Sequence, residues 1–287
     1  MRGHAEVRPR PTISTRWPPL KAIGRTSVSD RRGRLVITGA AGIIGRVLAA
    51  PFAASHDLVL LDRRPDPDLP LTLVDLADRD GLVRAFGGAE AVIHLAATSD
   101  VAAAWDAVLE SNIVGLHNVF DAAVAARVPR VVFASSNHVV GMYERDGAPS
   151  IYTDRERPAL DQAAAIRPDS LYGVSKAFGE ALGRYYAETH GLRVICLRIG
   201  TVLAVDDPTA PLVEAAPAWA PGPWELRIRA TWLSHRDCVE LFRCALSADV
   251  AFAIAYGVSD TPGRFWDLEE ARQVLGFRPA DRWPGED

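Results

Sequence analysis

The sequence predicts an α/β protein built on a doubly wound parallel sheet, with a small C-terminal cap. Three observations support this prediction. Short apolar segments alternate with helical segments from residue 34 to 197, and a glycine-rich turn joins the first apolar segment to the first helix. The chain has 287 residues, of which 48% are hydrophobic, and this is enough to form one large core. We expect an unpacked leader over residues 1–33, a sheet domain over 34–200 and the cap over 201–287.

The body of the chain is acidic, whereas its first residues are basic. Residues 1–34 carry nine Lys or Arg against two acidic side chains, while the whole chain has a net charge of −4. An acidic body is a poor partner for nucleic acid, so we expect no nucleic-acid binding. The Arg-, Pro- and Ser-rich leader is typical of a disordered tail or an over-long translation start, and an organelle transit peptide is the alternative.

The sequence also disfavours a membrane or secreted protein. No apolar run reaches the ~18 residues of a membrane span, and the N-terminus lacks the apolar region of a secretory signal. The three cysteines, Cys196, Cys238 and Cys244, are odd in number and lie in apolar segments, which is typical of packed thiols in a reducing compartment. We therefore expect a cytoplasmic protein, with a homo-oligomer as one option for its assembly.

A strand, a glycine turn and a helix open the sheet domain. The strand runs from Leu35 to Thr38, and the helix continues to about Ala54. The turn has the spacing G-x-x-G-x-x-G, which lets the backbone approach a pyrophosphate at the helix N-terminus. The domain over 34–200 is therefore expected to be a Rossmann-type domain that binds a dinucleotide through Gly39, Ala41, Gly42, Ile43, Ile44 and Gly45.

Three further strands, predicted at residues 58–61, 71–74 and 91–95, place more residues beside that turn. Asp62 follows the first of them, where a carboxylate accepts hydrogen bonds from the adenosine ribose and repels a 2′-phosphate. This favours NAD over NADP, although Arg63 and Arg64 would suit the phosphate. The remaining cofactor candidates are Asp75, Leu76, Leu95, Ala96, Ala97 and Asn112.

Two short motifs carry catalytic chemistry. Tyr172 and Lys176 share one face of a helix, so the ammonium favours the phenolate, which is a base for a substrate hydroxyl. Alone, this spacing is equally compatible with a surface contact. A strand at 130–134 ends before a polar run, and ligands bind outside the carboxyl ends of parallel strands. We therefore expect the crevice to contain Ser135, Ser136, Asn137 and His138.

The other segments complete the alternation. His94 is expected to be a core histidine, because no second histidine has metal-ligand spacing to it, and no metal site is predicted. The helix that contains Tyr172 is expected to be capped by Asp169 or Ser170. Elsewhere we predict a helix at 112–126, a loop at 142–168, a strand at 192–197, an Ala- and Pro-rich excursion over the site at 204–223, a helix at 235–246, a strand at 251–256 and a final helix at 268–275.

Together these motifs resemble the extended short-chain dehydrogenase/reductase superfamily, the NAD-dependent epimerases and dehydratases. TGAAGIIG at 38–45, the serine after the fifth strand and YGVSK at 172–176 carry this resemblance, which covers roughly residues 34–279. Within the superfamily, FASSNHVVG, LYGVSKAFGE, LRIGT and TWLSHRD are similar to the uronate dehydrogenase family. Two departures are Thr201, in place of the usual serine, and a longer, more apolar segment between Thr201 and Thr231.

The resemblance implies an NAD-dependent oxidation of a hexuronic acid, such as glucuronate or galacturonate, at C1 to an aldarolactone. It implies Tyr172 as the base, Lys176 as its partner that lowers the pKa and contacts the nicotinamide ribose, and Ser136 as the catalytic serine. Arg227 would hold the carboxylate in a bidentate pair, with Arg229 competing for that role. The sugar acid would contact Ser99, Ser136, Asn137, His138, Tyr172, Thr201 and Arg227.

Other activities remain as alternatives. A nucleotide-sugar epimerase or dehydratase shares the fold and the Tyr–Lys pair, but such enzymes need a larger C-terminal region, and only 115 residues follow Tyr172. Another NAD(P)-dependent sugar dehydrogenase or reductase of the superfamily is a second alternative. A non-catalytic NAD-binding protein is disfavoured, since binding alone does not require Ser136, Tyr172 and Lys176 together.

Overall fold

The structure is a computed structural model that describes residues 33–209 and 217–283. The predicted leader lies outside the described residues, apart from Gly33. Over the described ranges, the chain forms one parallel sheet with helices on both faces. The predicted doubly wound α/β architecture is therefore confirmed.

The sheet has seven strands within the described part of the chain, in the spatial order β3-β2-β1-β4-β5-β6-β7, and every neighbouring pair is parallel. The order reverses between β1 and β4, and open α/β sheets bind ligands at this switch point. The strands are Arg34–Thr38 (β1), Asp57–Asp62 (β2), Leu71–Leu73 (β3), Ala89–His94 (β4), Arg130–Ser136 (β5), Arg193–Ile199 (β6) and Phe252–Gly257 (β7).

The strand register brings the carboxyl ends of the central strands to one edge. Thr38 of β1 pairs with Leu61 of β2 and with His94 of β4. Ser136, the last residue of β5, pairs with Ile199 of β6. The residues that follow these strands therefore open into one crevice.

Helices cover the two faces of the sheet and form two apolar cores. Leu35 and Ile37 face a core that includes α1 and α8, whereas Val36 between them faces the core that includes α2, α4 and α6. This alternation follows the two-residue period of a strand. The α-helices are Ile43–Ala53 (α1), Arg79–Phe86 (α2), Trp105–Val108 (α3), Gly115–Ala125 (α4), Gly141–Gly147 (α5), Leu171–His190 (α6), Trp224–Thr231 (α7) and His235–Ser247 (α8).

Three segments differ from the predicted elements. The helix expected at 112–126 begins within a π-helical turn, Leu109–Val114, before α4. The loop expected at 142–168 contains α5 and a 3-10 turn, Ser150–Tyr152. The final helix expected at 268–275 is a π-helical turn, Ala271–Leu275. Elements of one or two turns are too short for apolar periodicity to define their type or their bounds.

The residues beyond 200 contribute to the sheet as well as to the rim of the crevice. β7 pairs with β6 throughout its length, and α8 packs beside α1. The segment next to the crevice consists of residues 217–223 and α7. A domain division at residue 200 therefore remains a prediction, and the sheet itself extends past it. None of the described helices is long and apolar enough to cross a membrane.

Candidate active site

The crevice at the carboxyl edge of the sheet is a cleft of about 670 Å³. The ends of β1, β2, β4, β5 and β6 line it, together with the starts of α1 and α6. Of the residues that the sequence analysis assigned to cofactor or substrate, all except Asn112 line this cleft. They are Gly39, Ala41, Gly42, Ile43, Ile44, Gly45, Asp62, Asp75, Leu76, Leu95, Ala96, Ala97, Ser99, Ser136, Asn137, His138, Tyr172, Lys176, Thr201 and Arg227.

The glycine turn leaves a cradle that a side chain would fill. Gly39 has φ of +70°, and a Cβ there would lie 2.5 Å from the backbone nitrogen of Ala96. The turn and the end of β4 therefore approach more closely than any other residue would allow. No side chain caps the start of α1 at Gly42, so the first N–H groups of the helix are left for an anionic ligand.

Asp62 is fixed beside this turn. Its carboxylate accepts hydrogen bonds from the backbone N–H of Ala41, at 3.1 Å, and of Arg63, at 2.8 Å. Arg64 lines the same end of the cleft. Free helix N–H groups for a pyrophosphate and a strand-end carboxylate for a ribose fit the adenosine half of NAD.

Asn112 lies behind the wall of the cleft. Its Oδ1 accepts a hydrogen bond from the Thr98 N–H at 2.7 Å, and its Nδ2 donates to the Thr98 carbonyl and to Ser175 Oγ, each at 2.9 Å. These bonds use both N–H donors of the side-chain amide and connect Thr98 to α6. Asn112 is buried and does not line the cleft, so its contact with a cofactor stays a prediction.

Lys176 projects from α6 beneath the cleft. Ser170, and not Asp169, caps this helix by accepting a hydrogen bond from the Gly173 N–H at 3.0 Å. The Lys176 ammonium donates to the Ala134 carbonyl at 2.7 Å and lies 5.6 Å from the centre of the Tyr172 ring. Burial lowers the pKa of Lys176 to about 7, so this side chain is close to losing its charge at neutral pH.

Tyr172 lies on the cleft wall, between Ser136 and the start of α6. Burial raises the pKa of its phenol; the Ser136 hydroxyl lowers it, and repulsion from Asp169 raises it again. The spacing of Tyr172 and Lys176 predicts that the ammonium lowers this pKa, whereas in the protein alone the pKa of Tyr172 is raised. The difference arises because burial penalises the phenolate, a cost that spacing along a helix does not reveal.

Ser136 ends β5 and caps the 3-10 turn Asn137–Val140, which carries His138. Ser136 Oγ accepts a hydrogen bond from the His138 N–H at 3.2 Å and donates to Asn137 Oδ1 at 3.3 Å. The His138 ring meets the Tyr172 ring edge-on, with centroids 5.8 Å apart. The turn therefore brings a hydroxyl, an amide and an imidazole to the same side of the cleft as the tyrosine.

Ser135 lines the cleft as expected, but its hydroxyl belongs to a buried network. Its hydroxyl donates to Glu180 Oε1 at 2.6 Å. Arg198 holds both oxygens of the same carboxylate at 2.8 Å and donates to the Tyr256 hydroxyl at 3.0 Å. This network joins β5, α6, β6 and β7 directly below the catalytic candidates, so it supports the floor of the cleft.

His94 is a core residue, as predicted. Its Nδ1 lies 2.7 Å from Thr38 Oγ1, and its ring stacks on Phe133, against which Lys176 also lies. Burial, with a smaller effect from Lys176, lowers its pKa to about 3. Within residues 33–209 and 217–283, no cluster of three or more His, Cys, Asp or Glu side chains is arranged to hold a metal ion.

Arg227 reaches the cleft wall from α7, but its charge is already paired. Its Nε lies 2.9 Å from Oε1 of Glu144 on α5, and Tyr152 donates to the same oxygen at 2.7 Å. The guanidinium also lies over the rings of Trp219, at 5.0 Å, and Trp224, at 5.4 Å. Arg229 has its own interaction and lies over Trp283.

Four further residues of the site were not predicted from the sequence: Glu144, Asp169, Trp219 and Trp224. Trp219 lies in the Ala- and Pro-rich segment and Trp224 begins α7; both line the cleft, and the Trp219 ring meets the His138 ring edge-on at 5.3 Å. The two tryptophans could have been predicted as site residues, because they stand in or next to a Pro-rich stretch close to Arg227 in the sequence. Nothing in the sequence indicates a site role for Glu144, because its partner Arg227 is 83 residues away.

Comparisons with known proteins agree with this geometry. The model of the NAD dependent epimerase/dehydratase family matches residues 35–216, which span the strands from β1 to β6 and most of the cleft. The chain belongs to this family. The epimerase/dehydratase resemblance stated from the sequence is therefore confirmed, and the protein is an NAD-dependent dehydrogenase.

Individual members of the family are similar along most of their length. L-arabinose 1-dehydrogenase (NAD(P)(+)) of Haloferax volcanii is 41% identical to this chain, in an alignment that covers 86% of this chain and 96% of the relative. The NAD-dependent glucose-6-phosphate dehydrogenase of the same organism is 40% identical, in an alignment that covers 86% of this chain and 93% of the relative. The crystal structure of uronate dehydrogenase from Agrobacterium tumefaciens superposes with a TM-score of 0.70 at 33% identity, over 87% of this chain and 85% of that one.

Proposed function

We propose that this NAD-dependent dehydrogenase oxidises the anomeric carbon, C1, of a cyclic sugar to the corresponding lactone. Tyr172, Ser136 and Lys176 face one cleft at the switch point of the sheet, beside a turn and a carboxylate that fit NAD. The relatives that act on sugars, by their names, support a sugar as the substrate.

The chain's own residues supply the proton chemistry. Tyr172 takes the proton of the C1 hydroxyl, and Ser136 holds the same oxygen by a hydrogen bond while the carbonyl of the lactone forms. Lys176, hydrogen-bonded to Ala134, holds its amino group 5.6 Å from the centre of the phenol ring. Gly39, Gly42 and Asp62 would hold the adenosine half of the cofactor. When bound, NAD supplies the nicotinamide ring that accepts the C1 hydride.

The Arg227–Glu144 pair is the observation that selects the class of sugar. Both side chains are almost fully buried, and the ion pair leaves this end of the cleft without net charge. An anionic group on the substrate would compete with Glu144 for Arg227 and would be repelled by that carboxylate. We therefore infer a neutral aldose, such as a pentose or a hexose.

The hexuronate expected from the sequence is the second candidate. Arg227 lines the cleft at the position that the resemblance assigns to the substrate carboxylate, and uronate dehydrogenases are among the similar proteins. A substrate carboxylate would have to share the Arg227 guanidinium with Glu144, whose negative charge would repel it. Glucose 6-phosphate faces the same obstacle with a larger negative charge.

A panel of sugars tests the proposal, with NADH absorbance as the signal. The panel contains L-arabinose, D-glucose, D-galactose, glucuronate, galacturonate, glucose 6-phosphate and UDP-glucose. A kcat/KM at least ~10-fold higher for a neutral aldose than for its uronate is expected, since one charge-assisted contact is worth about that factor. A preference for uronates would replace the first candidate with the second, and NAD binding without NADH from any sugar would overturn both.

A further inference from the structure

His138 and Asp169 form a hydrogen-bonded pair on the wall of the cleft. His138 Nδ1 lies 2.8 Å from Oδ2 and 3.0 Å from Oδ1 of Asp169, and the side chains are only 10% and 4% exposed. Asp169 Oδ1 also accepts a hydrogen bond from the Ser170 hydroxyl at 2.9 Å. Both carboxylate oxygens are therefore occupied as acceptors, and Nδ1 must carry the proton.

Gly141 lies directly against the Asp169 carboxylate. A Cβ at that glycine would stand 2.3 Å from Oδ2, so a larger residue there would displace the carboxylate. The start of α6 is thus held directly on the residues that follow the 3-10 turn carrying His138. This close contact supports the position of the carboxylate that bonds the imidazole.

His138 lines the cleft, and its other ring nitrogen is Nε2. Nε2 makes no hydrogen bond to the described residues and is not one of the buried atoms that lack a partner, so it is accessible to a ligand in the cleft. The ring is held between edge contacts with Tyr172, at 5.8 Å, and Trp219, at 5.3 Å. A neutral imidazole with its proton on Nδ1 offers Nε2 as an acceptor, so it recognises a hydroxyl that donates.

Asp169 disfavours deprotonation of Tyr172, the proposed base near it. Its negative charge raises the pKa of Tyr172, which makes the phenolate harder to form. A residue with only a packing role at this position would not need a charge. The carboxylate is explained by what it does to His138.

We propose that Asp169 is a positioning residue that fixes the His138 tautomer, so that Nε2 accepts a hydrogen bond from the sugar hydroxyl on C2, next to the reacting C1. This inference rests on the proposed oxidation at C1. The His138 and Tyr172 rings are in edge contact, with centroids 5.8 Å apart, so the imidazole is a neighbour of the proposed base and the C2 hydroxyl is a neighbour of the reacting C1. A sugar without the C2 hydroxyl would leave Nε2 without this partner in the complex.

Matched sugars test this role in the full-length protein. D-glucose is compared with 2-deoxy-D-glucose, and L-arabinose with 2-deoxy-L-ribose, in the wild type, Asp169→Asn, His138→Ala and the double variant. The wild type is expected to prefer the 2-hydroxy sugar by at least ~10-fold in kcat/KM, the worth of one hydrogen bond. In Asp169→Asn the side-chain carbonyl is expected to accept the hydrogen bond from the Ser170 hydroxyl, so the amide N–H group faces Nδ1 of His138. Nδ1 must then be the acceptor and Nε2 carries the proton. The ratio of kcat/KM for the 2-hydroxy sugar to that for the 2-deoxy sugar should therefore fall toward 1.

The double variant separates positioning from general damage. If Asp169 acts through His138, Asp169→Asn has no further effect on the 2-hydroxy preference in the His138→Ala background. Asp146→Asn, which removes an exposed carboxylate that pairs with Arg167, is the control and should keep the wild-type preference. An unchanged preference in Asp169→Asn, or effects that add in the double variant, would overturn the proposal.

A spectroscopic measurement on the wild-type protein tests the His138 tautomer even if a variant does not fold. Long-range ¹H–¹⁵N spectra of the wild-type protein distinguish the two imidazole tautomers, and the His138 signals are expected to show Nδ1 protonated. Protonation on Nε2 alone would refute the inference. Absence of turnover with every sugar would instead refute the proposed function, while the tautomer would still be readable.

Discussion

The Arg227 guanidinium and the Glu144 carboxylate form an ion pair with almost no contact with solvent, their side chains being 2% and 4% exposed. Glu144 is held in place by the Tyr152 hydroxyl at 2.7 Å. Arg227 is held by the faces of Trp219 and Trp224. These contacts hold an ion pair without net charge in the part of the cleft wall that Arg227, Trp219 and Trp224 form.

Replacing Glu144 by Gln should change which sugars the enzyme prefers. The variant keeps the side-chain shape but leaves Arg227 with an uncompensated charge that favours an anionic group. The ratio of kcat/KM for glucuronate to that for D-glucose should rise at least ~10-fold. Glu225→Gln, which removes an exposed charge from α7, should leave the ratio unchanged. A ratio that does not move in Glu144→Gln would contradict the argument from this ion pair.

Tyr172→Phe should abolish most of the turnover without weakening the cofactor complex. The missing hydroxyl removes the proposed general base, which typically contributes at least ~10²-fold to the rate. The measurements are kcat from NADH absorbance and the affinity for NAD from titration. Tyr185→Phe, an exposed tyrosine on the same helix, is the control and should keep full activity. Near-wild-type turnover in Tyr172→Phe would eliminate the proton-transfer scheme.

Asp62→Ala should weaken NAD binding and reduce the preference for NAD over NADP. The carboxylate is held by the backbone of Ala41 and Arg63, so its charge has a fixed place beside the proposed ribose site. We expect the ratio of NADP to NAD affinity to rise by about tenfold, in line with one lost charge-assisted bond. Asp57→Ala, at the exposed start of the same strand, should have no effect. Equal losses for both cofactors would argue against a ribose contact.

Glu180→Gln should destabilise the fold. Removing its charge leaves Arg198 unpaired, with 1% of the side chain exposed, and loss of one partner of such a pair costs about 3–5 kcal/mol. The free energy of unfolding from urea titration measures this cost. Glu188→Gln, on the same helix, breaks only an exposed pair with Arg184 and should cost less than about 1 kcal/mol. Equal costs for the two variants would show that the buried pair is not stabilising.

His94 should make the folded state sensitive to acid. Burial lowers its pKa to about 3, against about 6.5 in an unfolded chain, so between these values only the unfolded state binds the proton. Stability should therefore fall as the pH decreases from about 6.5 toward 3. His94→Gln, which can still bond Thr38, should flatten this slope, while replacing the exposed His117 by Gln should not. An unaltered slope in His94→Gln would assign the acid sensitivity to other groups.

Much of the fold could be predicted because its strands are buried on both faces. Leu35–Ile37 and Val131–Ala134 are continuous apolar runs. The residues at the carboxyl ends of the central strands line the crevice. The positions of Asp62, Ser136 and His138 in the cleft follow from that rule alone. Tyr172 and Lys176 could be placed on one helix face because their spacing is local.

The distal end of the cleft could not be predicted, since it depends on contacts far apart in the sequence. Glu144 lies on a two-turn helix within a segment that resembles a loop, and only the tertiary fold brings it to Arg227. Asp169 has the sequence position of a helix cap, but Ser170 takes that role and leaves the carboxylate to His138. The raised pKa of Tyr172 depends on burial, which no residue pattern encodes.

Strand β7 has a consequence for how the protein is made. β7 pairs with the edge of β6, but its residues, 252–257, are synthesised well after those of β6, 193–199. A nascent chain on the ribosome therefore carries β6 with unpaired N–H and C=O groups until residue 257 has emerged, and such an open edge invites pairing with a second nascent chain. Synthesis that stalls between β6 and β7 should thus yield aggregates rather than a shorter soluble enzyme.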